Sequence, residues 1–332
     1  MKFGLRIPSF AMGAQTATIA EMGDYLRRAE QLDFHSATCI DHVLTVPPYT
    51  SGTWLEPMVL MGALAAVTRK IKLGPMGITL PLRNPVYYAK EWATLDVLSA
   101  GRAIFGVGVG WHEKEFAVMN VPYKERGRRM NEMLEAVLAL WSGDDVTYRG
   151  KYYQFENVRV DPKPVQLPRP QIWIPGGTSP LDKSYGQKIP DFTPVLRRIA
   201  KYASVWVPHS PATPEMVRGD WARIQEMVKE FGRQPSDVTK AYCNFVYVLE
   251  KGEKPEAAIP KFSKISGKDL EFWQTHYLVG SPEQVAERVC EKVEAMGGVG
   301  HVIFNPVDWS IAQLELVANQ VRPHILKALA KT

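Results

Sequence analysis

The feature that most constrains the fold of this chain is a regular alternation of short apolar segments with longer segments of helical periodicity. The short segments are rich in Val, Ile and Phe, and the alternation continues along all 332 residues. This pattern is typical of βα units that build a parallel sheet. Strands are predicted at 2–7, 36–40, 71–74, 103–107, 171–174, 204–207, 241–249 and 299–304, and helices at 18–33, 54–68, 84–99, 125–141, 191–202, 213–231, 282–296 and 310–330.

Eight strand and helix pairs are the number that closes a (β/α)8 barrel. A doubly wound sheet uses the same elements but usually has a glycine-rich turn after its first strand. The first strand here runs into IPSFAMGAQ. We therefore predict an α/β fold, a single TIM-barrel domain over residues 1–332. Segments 142–170 and 250–280 are too long for ordinary connections and are predicted to be insertions at the C-terminal face of the barrel.

Composition and charge exclude several classes of protein. Hydrophobic residues make up 45% of the chain, which supplies a large core. Lys and Arg exceed Asp and Glu by 40 to 35 without forming a basic run, so no nucleic-acid interface is predicted. The apolar run at the N terminus is too short for a signal peptide, and no segment has the length of a membrane span. Cys39, Cys243 and Cys290 form no CxxC pair. We expect a cytoplasmic protein without a membrane contact.

The segment GVGVGWHEKEF, residues 106–116, follows the fourth predicted strand. A dinucleotide-binding GxGxxG fingerprint would need a glycine where Trp111 stands, and it would follow the first strand. That interpretation fails. Two others stay open from these residues alone: the glycines expose backbone N–H groups to a flat ligand or a phosphate, or they form a bulge at a corner of the barrel.

Other strand ends also carry residues that could support chemistry, because barrel active sites lie where the strands end. Asp41 and His42 follow strand two and could act as an acid/base pair near neutral pH, or simply cap a loop. Segment 73–77, LGPMG, permits a bulge or a cis peptide bond. The sequence WIPGGTSP after strand five suits a phosphate nest or an ordinary turn. The histidines show no HxH or HExxH spacing, so no metal site is predicted.

Taken together, these stretches resemble the luciferase-like monooxygenase superfamily, whose members are (β/α)8 barrels that bind FMN or the deazaflavin coenzyme F420. The resemblance covers most of the chain. The segments that carry it are PLRNPVYYAKEWATLDVLSAGRAIFGVGVGWHEKEF, VPYKERGRRMNEMLEAVLALWSGDDVTYRGKYYQFENVRVDPKPVQLPRPQIWIPGG and VGSPEQVAERV.

The resemblance implies a cofactor ring across the C-terminal mouth of the barrel, with Asp41 and His42 beside its reactive face. It assigns three further groups of residues: Met76 and Gly77 at a non-prolyl cis peptide behind the ring, Gly108 and Gly110 under the cofactor, and Gly176, Gly177 and Thr178 at its phosphate. Two positions depart from the family pattern. Trp111 stands where some F420-dependent dehydrogenases carry a glutamate, and the common GDGW of strand six is replaced by YASVWVP.

The resemblance favours an oxidoreductase that uses reduced F420 for hydride transfer to or from a small organic substrate. His42, held by Asp41, would manage the proton, while Trp54, Trp111 and His112 would shape an apolar pocket over the ring. One alternative is a two-component monooxygenase that uses FMNH2 from a separate flavin reductase together with O2. A second is a barrel that binds flavin without catalysis. Family members commonly dimerise, so a homodimer is expected.

Overall fold

The computed structural model describes residues 1–7, 10–11, 17–45, 53–179, 191–262 and 269–330. In this part of the chain, eight parallel strands form a barrel wall. They follow the order β3, β2, β1, β8, β7, β6, β5, β4, and a parallel bridge from Leu73 to Ala103 joins the two ends. The predicted α/β barrel is confirmed. The strands are β1 (Lys2–Arg6), β2 (Ser36–Cys39), β3 (Lys72–Pro75), β4 (Ile104–Gly108), β5 (Gln171–Pro175), β6 (Val205–Val207), β7 (Thr239–Val248) and β8 (His301–Pro306).

A helix follows each barrel strand along the chain. Several helices begin where the sequence supplies a cap: the side chains of Thr213 and Ser281 accept hydrogen bonds from backbone amides of the first turn, and a proline follows each of them. The helices are α1 (Ile19–Gln31), α2 (Pro57–Val67), α3 (Pro85–Leu98), α4 (Arg126–Ser142), α5 (Thr193–Tyr202), α6 (Pro214–Glu230), α7 (Pro282–Ala295) and α8, which runs as Ile311–Leu316, a π-helical turn Val317–Val321 and Arg322–Leu329.

The protein also contains shorter strands, helices and turns outside the barrel wall and its eight helices. Thr53–Trp54 pairs with Phe10–Ala11, and Val146–Arg149 pairs with Gln154–Val158, both antiparallel. The other short elements are strands Ile78–Thr79 and Leu278–Gly280, α-helices Glu113–Val118, Ile259–Phe262 and Leu270–His276, and 3-10 turns Leu80–Leu82, Tyr123–Glu125, Pro235–Asp237 and Pro255–Ala258.

Side chains alternate between the helices and the interior of the barrel, as they must along a strand. Leu5 and Phe304 belong to the large core between strands and helices. A second, smaller core gathers residues from five different strands, together with Met76 just after β3, so it fills the barrel interior. Its members are Met76, Ile104, Trp173, Val205, Val207, Ala241, Cys243 and Ile303.

Strands β3 and β4 approach each other through glycines. A Cβ at Gly74 would overlap the carbonyl oxygen of Ile104, and one at Gly106 would overlap that of Pro75. Because backbone atoms occupy these positions, no side chain larger than hydrogen fits there. Gly106 is therefore explained by strand packing rather than by a ligand.

The two long insertions lie at opposite ends of the barrel. Segment 250–280 connects β7 to α7, and its strand Leu278–Gly280 extends the sheet beside the last residues of β7, at the C-terminal face as expected. Segment 142–170 instead connects a helix to the next strand, so it lies at the N-terminal face. There the Gln166 side chain donates to the carbonyl of Ala103, just before β4 begins. This position corrects the expectation for the first insertion.

His301 and His35 pack together at the N-terminal end of the barrel, His301 buried and His35 half-buried. His301 is 4% exposed, and neither of its ring nitrogens has a hydrogen-bond partner in the described part of the protein. The ring of His35 packs edge-on against it, with 5.5 Å between centroids. Burial, reinforced by His35 and Lys2, lowers the pKa of His301 to about 3, and burial together with Lys2 and Lys72 lowers the pKa of His35 to about 4.

This arrangement predicts a loss of stability in mild acid. A histidine with an ordinary pKa near 6.5 takes up a proton in the unfolded chain before the folded protein does, so folding is disfavoured increasingly as the pH falls below about 6.5. Each fully shifted histidine contributes a slope of about 1.4 kcal/mol per pH unit. Urea unfolding of the wild type and of His301→Leu between pH 7.5 and 4.5 should show a shallower slope for the variant. His324→Gln, at an exposed histidine, serves as the control and should keep the wild-type slope.

Candidate active site

The C-terminal mouth of the barrel brings together His42 and a carboxylate that the sequence did not single out, Glu115. His42 follows strand β2, and Glu115 lies in the short helix Glu113–Val118 that follows the glycines of β4. His42 Nδ1 lies 3.2 Å from Glu115 Oε1, and the two side chains are 9% and 2% exposed. The same oxygen accepts the backbone N–H groups of Val43 and Leu44, at 2.7 and 3.2 Å.

The charge state of Glu115 follows from these contacts. Burial by itself raises the pKa of Glu115, but the hydrogen bonds from His42 and from the amides of Leu44 and Val43 outweigh burial, and the pKa falls below its usual value. Glu115 is therefore ionised at neutral pH and can only accept hydrogen bonds. His42 accordingly carries a proton on Nδ1 and presents Nε2 as its second functional nitrogen.

Asp41 does not hold His42, which corrects the predicted pairing of these neighbours. Its carboxylate accepts the backbone N–H of Thr79 at 2.8 Å and pairs with Arg83 at 3.2 Å. Burial raises the pKa of Asp41, although Arg83 and the Thr79 amide oppose this shift. Asp41 therefore connects the end of β2 to the segment that follows β3. The His42 ring instead hydrogen-bonds to Glu115.

The predicted aromatic residues gather around His42. The Trp54 ring lies 4.9 Å from the His42 ring and the Trp111 ring 5.8 Å from it, between centroids. The His112 ring lies 5.4 Å from that of Trp111. Trp111 is half exposed, at 51%. The structure thus brings Trp54, Trp111, His112 and His42 into one aromatic group at the mouth.

The wall next to this group has the features that the resemblance implies for a flat ring. The peptide bond Met76–Gly77 is cis. Gly108 is the last residue of β4 and, by alternation from Ile104, faces the barrel interior. A Cβ there would meet no atom nearer than the Pro175 ring at 3.7 Å. Gly110 differs, because it has φ of 73° and its Cβ would overlap the Thr79 side chain. Packing explains Gly110, whereas a methyl group at Gly108 would fit, making only ordinary van der Waals contacts with Pro175, Gly77 and Ile78.

The glycines after β5 are arranged differently from a free phosphate nest. Gly176 and Gly177 both have positive φ, 140° and 114°. The backbone N–H and the hydroxyl of Thr178 donate to the two carboxylate oxygens of Asp220 at 2.6 and 2.9 Å. Asp220, in α6, is 4% exposed. Thr178 therefore holds a carboxylate of the chain itself, and this geometry does not support its predicted contact with phosphate.

Neither a metal-binding cluster nor a membrane-spanning helix occurs in the described part of the chain. In that part of the chain, His, Cys, Asp and Glu side chains form no group of three or more that could hold a metal ion. No helix among the described residues has both the length and the apolar character that crossing a membrane requires.

Fold and site together define a parallel barrel with a paired histidine and glutamate, His42 and Glu115, at its C-terminal mouth. The chain belongs to the luciferase-like monooxygenase family, which matches residues 1–267. An uncharacterized protein of Mycobacterium tuberculosis is 39% identical over 132 residues, 40% of this chain and 45% of that protein. The FMNH2-dependent dimethylsulfone monooxygenase of Pseudomonas fluorescens is 30% identical over 203 residues, 58% of this chain and 54% of that enzyme. The match thus spans about half the length of these curated relatives.

Solved structures share the fold over nearly the whole chain. A monooxygenase from Streptomyces bottropensis superposes with a TM-score of 0.77 at 23% identity, covering 98% of this chain and 99% of that one. The coenzyme F420-dependent tetrahydromethanopterin reductase from Methanopyrus kandleri superposes with a TM-score of 0.70 at 21% identity, with the same coverage of 98% and 99%.

The Glu115 contacts predict a measurable effect on stability. Glu115→Ala leaves three donors without their acceptor and should lower the free energy of unfolding by about 2–4 kcal/mol at pH 7, whereas Glu115→Gln, which keeps an acceptor oxygen, should cost less. Because the folded pKa lies below the unfolded one, the charge stabilises above about pH 4.5 and this contribution is lost as the pH falls through the folded pKa. Urea unfolding at pH 7 and pH 4 tests both effects. Glu113→Gln, an exposed site in the same helix, is the matched control.

Proposed function

We propose that this protein is an oxidoreductase that binds a flavin-type cofactor across the C-terminal mouth of the barrel and uses His42 as its acid/base. The observation that carries this proposal is the position of His42. Its ring is held by the ionised Glu115 at the end of β2, and β4 ends on the same rim with the bare backbone of Gly108. Active sites of such barrels lie at this face.

The residues present fit the ring of such a cofactor better than its phosphate. At the ring, the bare backbone of Gly108 and the turn Met76–Gly77 would form the supporting wall. For the phosphate, we propose contacts only with the backbone of Gly176 and Gly177. Thr178 is left out because its N–H and hydroxyl donate to Asp220. A carboxylate so close to an incoming phosphate would also repel it.

Hydride transfer to or from F420 is the leading form of this activity. Reduced F420, when bound, supplies a hydride to a carbonyl carbon of the substrate. The alkoxide oxygen that results needs a proton, which His42 Nε2 would deliver; in the reverse direction the same nitrogen would accept it. Glu115 would stabilise the imidazolium form and keep the ring in place. Asp41 and Arg83 would act indirectly, because they hold the Thr79 segment against the end of β2.

A two-component monooxygenase is the second candidate, favoured by the similarity to the FMNH2-dependent dimethylsulfone monooxygenase. In this case the protein would receive FMNH2 from a separate flavin reductase and transfer one oxygen atom of O2 to the substrate. The aromatic group around His42 would then limit the access of water to the cofactor ring.

A homodimer is a further prediction, and light scattering of the purified protein can test it.

Cofactor titration separates these candidates. The protein is titrated under anaerobic conditions with F420, reduced F420, FMN and FMNH2, and tryptophan fluorescence reports binding. We expect F420 binding that Gly108→Ala weakens at least tenfold, because the new methyl group would project into the barrel mouth from the wall on which the ring is proposed to lie. Gly62→Ala, in a helix where a Cβ meets nothing within 4 Å, is the matched control. Binding of FMNH2 without F420 would favour the monooxygenase, and binding of neither would contradict both.

Turnover tests the role of His42 itself. Secondary alcohols, ketones and sulfones are screened for oxidation or reduction of whichever cofactor binds. His42→Gln should lower kcat about 100- to 10,000-fold, the usual range for loss of a general acid/base, while the cofactor Kd changes less than about threefold. His276→Gln, at an exposed histidine far along the chain, should leave kcat unchanged. Unchanged turnover in His42→Gln would show that His42 is not the acid/base.

A further inference from the structure

We propose that Arg6 and Asn305 form an anchor for a carboxylate group, so that the substrate of this protein is an organic anion. The inference rests on the proposed function for its setting, an active site at the C-terminal mouth. It names the class of substrate, which neither the family nor the geometry around His42 determines.

Both side chains belong to the interior face of the barrel. In β1, Leu5 packs against the helices, so Arg6 faces the interior. In β8, Phe304 packs outward and stacks on Phe3, while Ile303 lies in the interior core. Asn305 therefore faces the interior, and it is 3% exposed. The parallel register pairs Leu5 with Phe304. The next residues along the two strands, Arg6 and Asn305, consequently lie side by side.

Arg6 carries a positive charge that nothing in the described part of the chain neutralises. Its Nε is buried without a hydrogen-bond partner. Among the described residues no carboxylate pairs with it; Asp41, which follows the adjoining strand β2, pairs instead with Arg83 and accepts the Thr79 amide. The interior core of the barrel is made of apolar or weakly polar side chains such as Met76, Val207 and Cys243. A charge without a partner in such surroundings is costly, and an incoming anion would remove that cost.

The strand order places this pair opposite the proposed cofactor wall. Around the closed barrel, β8 lies four strands away from β4 in either direction, and β1 lies four strands away from β5. Asn305 therefore stands across the interior from Gly108. Arg6 lies next to β2, whose end carries His42. A substrate held at Arg6 would thus lie between the acid/base and the ring-binding wall.

The chemistry of the pair selects a carboxylate. A guanidinium presents a planar set of N–H donors that matches the two oxygens of a carboxylate, and a side-chain amide adds another donor. One half-buried guanidinium with one buried amide suits a single planar anion, and the apolar interior core of the barrel suits a carbon skeleton attached to it. Loss of the positive charge should therefore affect anionic ligands much more than neutral ligands of the same shape.

Benzoate and benzamide test this selectivity, since they share shape and differ in charge. Binding is measured by isothermal titration calorimetry, first with the protein as purified and then with protein saturated with whichever cofactor binds. We expect the wild type to prefer benzoate, and Arg6→Met to weaken benzoate binding at least tenfold while changing benzamide binding less than twofold. Lys2→Met removes the same charge from the other end of β1 and should have no effect.

Further variants keep the test decisive if Arg6→Met does not fold, as judged by circular dichroism. Asn305→Leu should weaken benzoate binding without changing the net charge, and Arg6→Lys should retain part of it. Equal binding of benzoate and benzamide to the wild type, or unchanged benzoate binding in Asn305→Leu and Arg6→Lys, would overturn the anchor. Benzoate binding is measured on protein without cofactor, so its outcome does not depend on the proposed function. The cofactor titration tests the proposed function separately.

Discussion

The structure depends on the close contact of β3 and β4, where backbone atoms occupy the space that side chains fill elsewhere. Gly74 and Gly106 permit this contact, and the bridge from Leu73 to Ala103 closes the barrel there. Close packing at a glycine also occurs at the C-terminal mouth of the barrel. Gly110 lets the Thr79 segment and Phe116 pack closely, and this packing positions both the Thr79 amide that Asp41 accepts and the short helix that carries Glu115. The positions of Asp41 and Glu115 therefore depend on close glycine packing along the same β3–β4 side of the barrel that closes the sheet.

The barrel itself could be predicted from the sequence because periodicity and burial act locally. Each strand and helix boundary lies within a few residues of its prediction, since caps such as Thr213 and Ser281 are sequence signals. The position of segment 142–170 could also have been deduced, because a connection from a helix to the next strand must lie at the N-terminal end. The length of the segment showed that it was an insertion, but it did not show at which end of the barrel the insertion lies.

The site was predicted in outline but not in its pairings. Asp41 and His42 are adjacent in extended chain after a strand, so their side chains point in opposite directions and cannot readily bind each other. The true partner of His42, Glu115, lies 73 residues away, and its orientation depends on how the helix Glu113–Val118 packs. Likewise, the donors of Thr178 suit a phosphate or a carboxylate equally well on sequence grounds. Only the fold shows that Asp220 has taken them.

The packing of the barrel interior also has a kinetic consequence. Trp173, Ile104 and Ile303 are buried against one another across the interior, at 0–1% exposure, so no ligand passes through the barrel from end to end. The proposed cofactor and substrate would both bind above this layer, so both would enter from the C-terminal mouth. The ligand that binds deeper would then enter first and leave last. The shape of the barrel, and not the relative affinities of the two ligands, would set the order of addition and release.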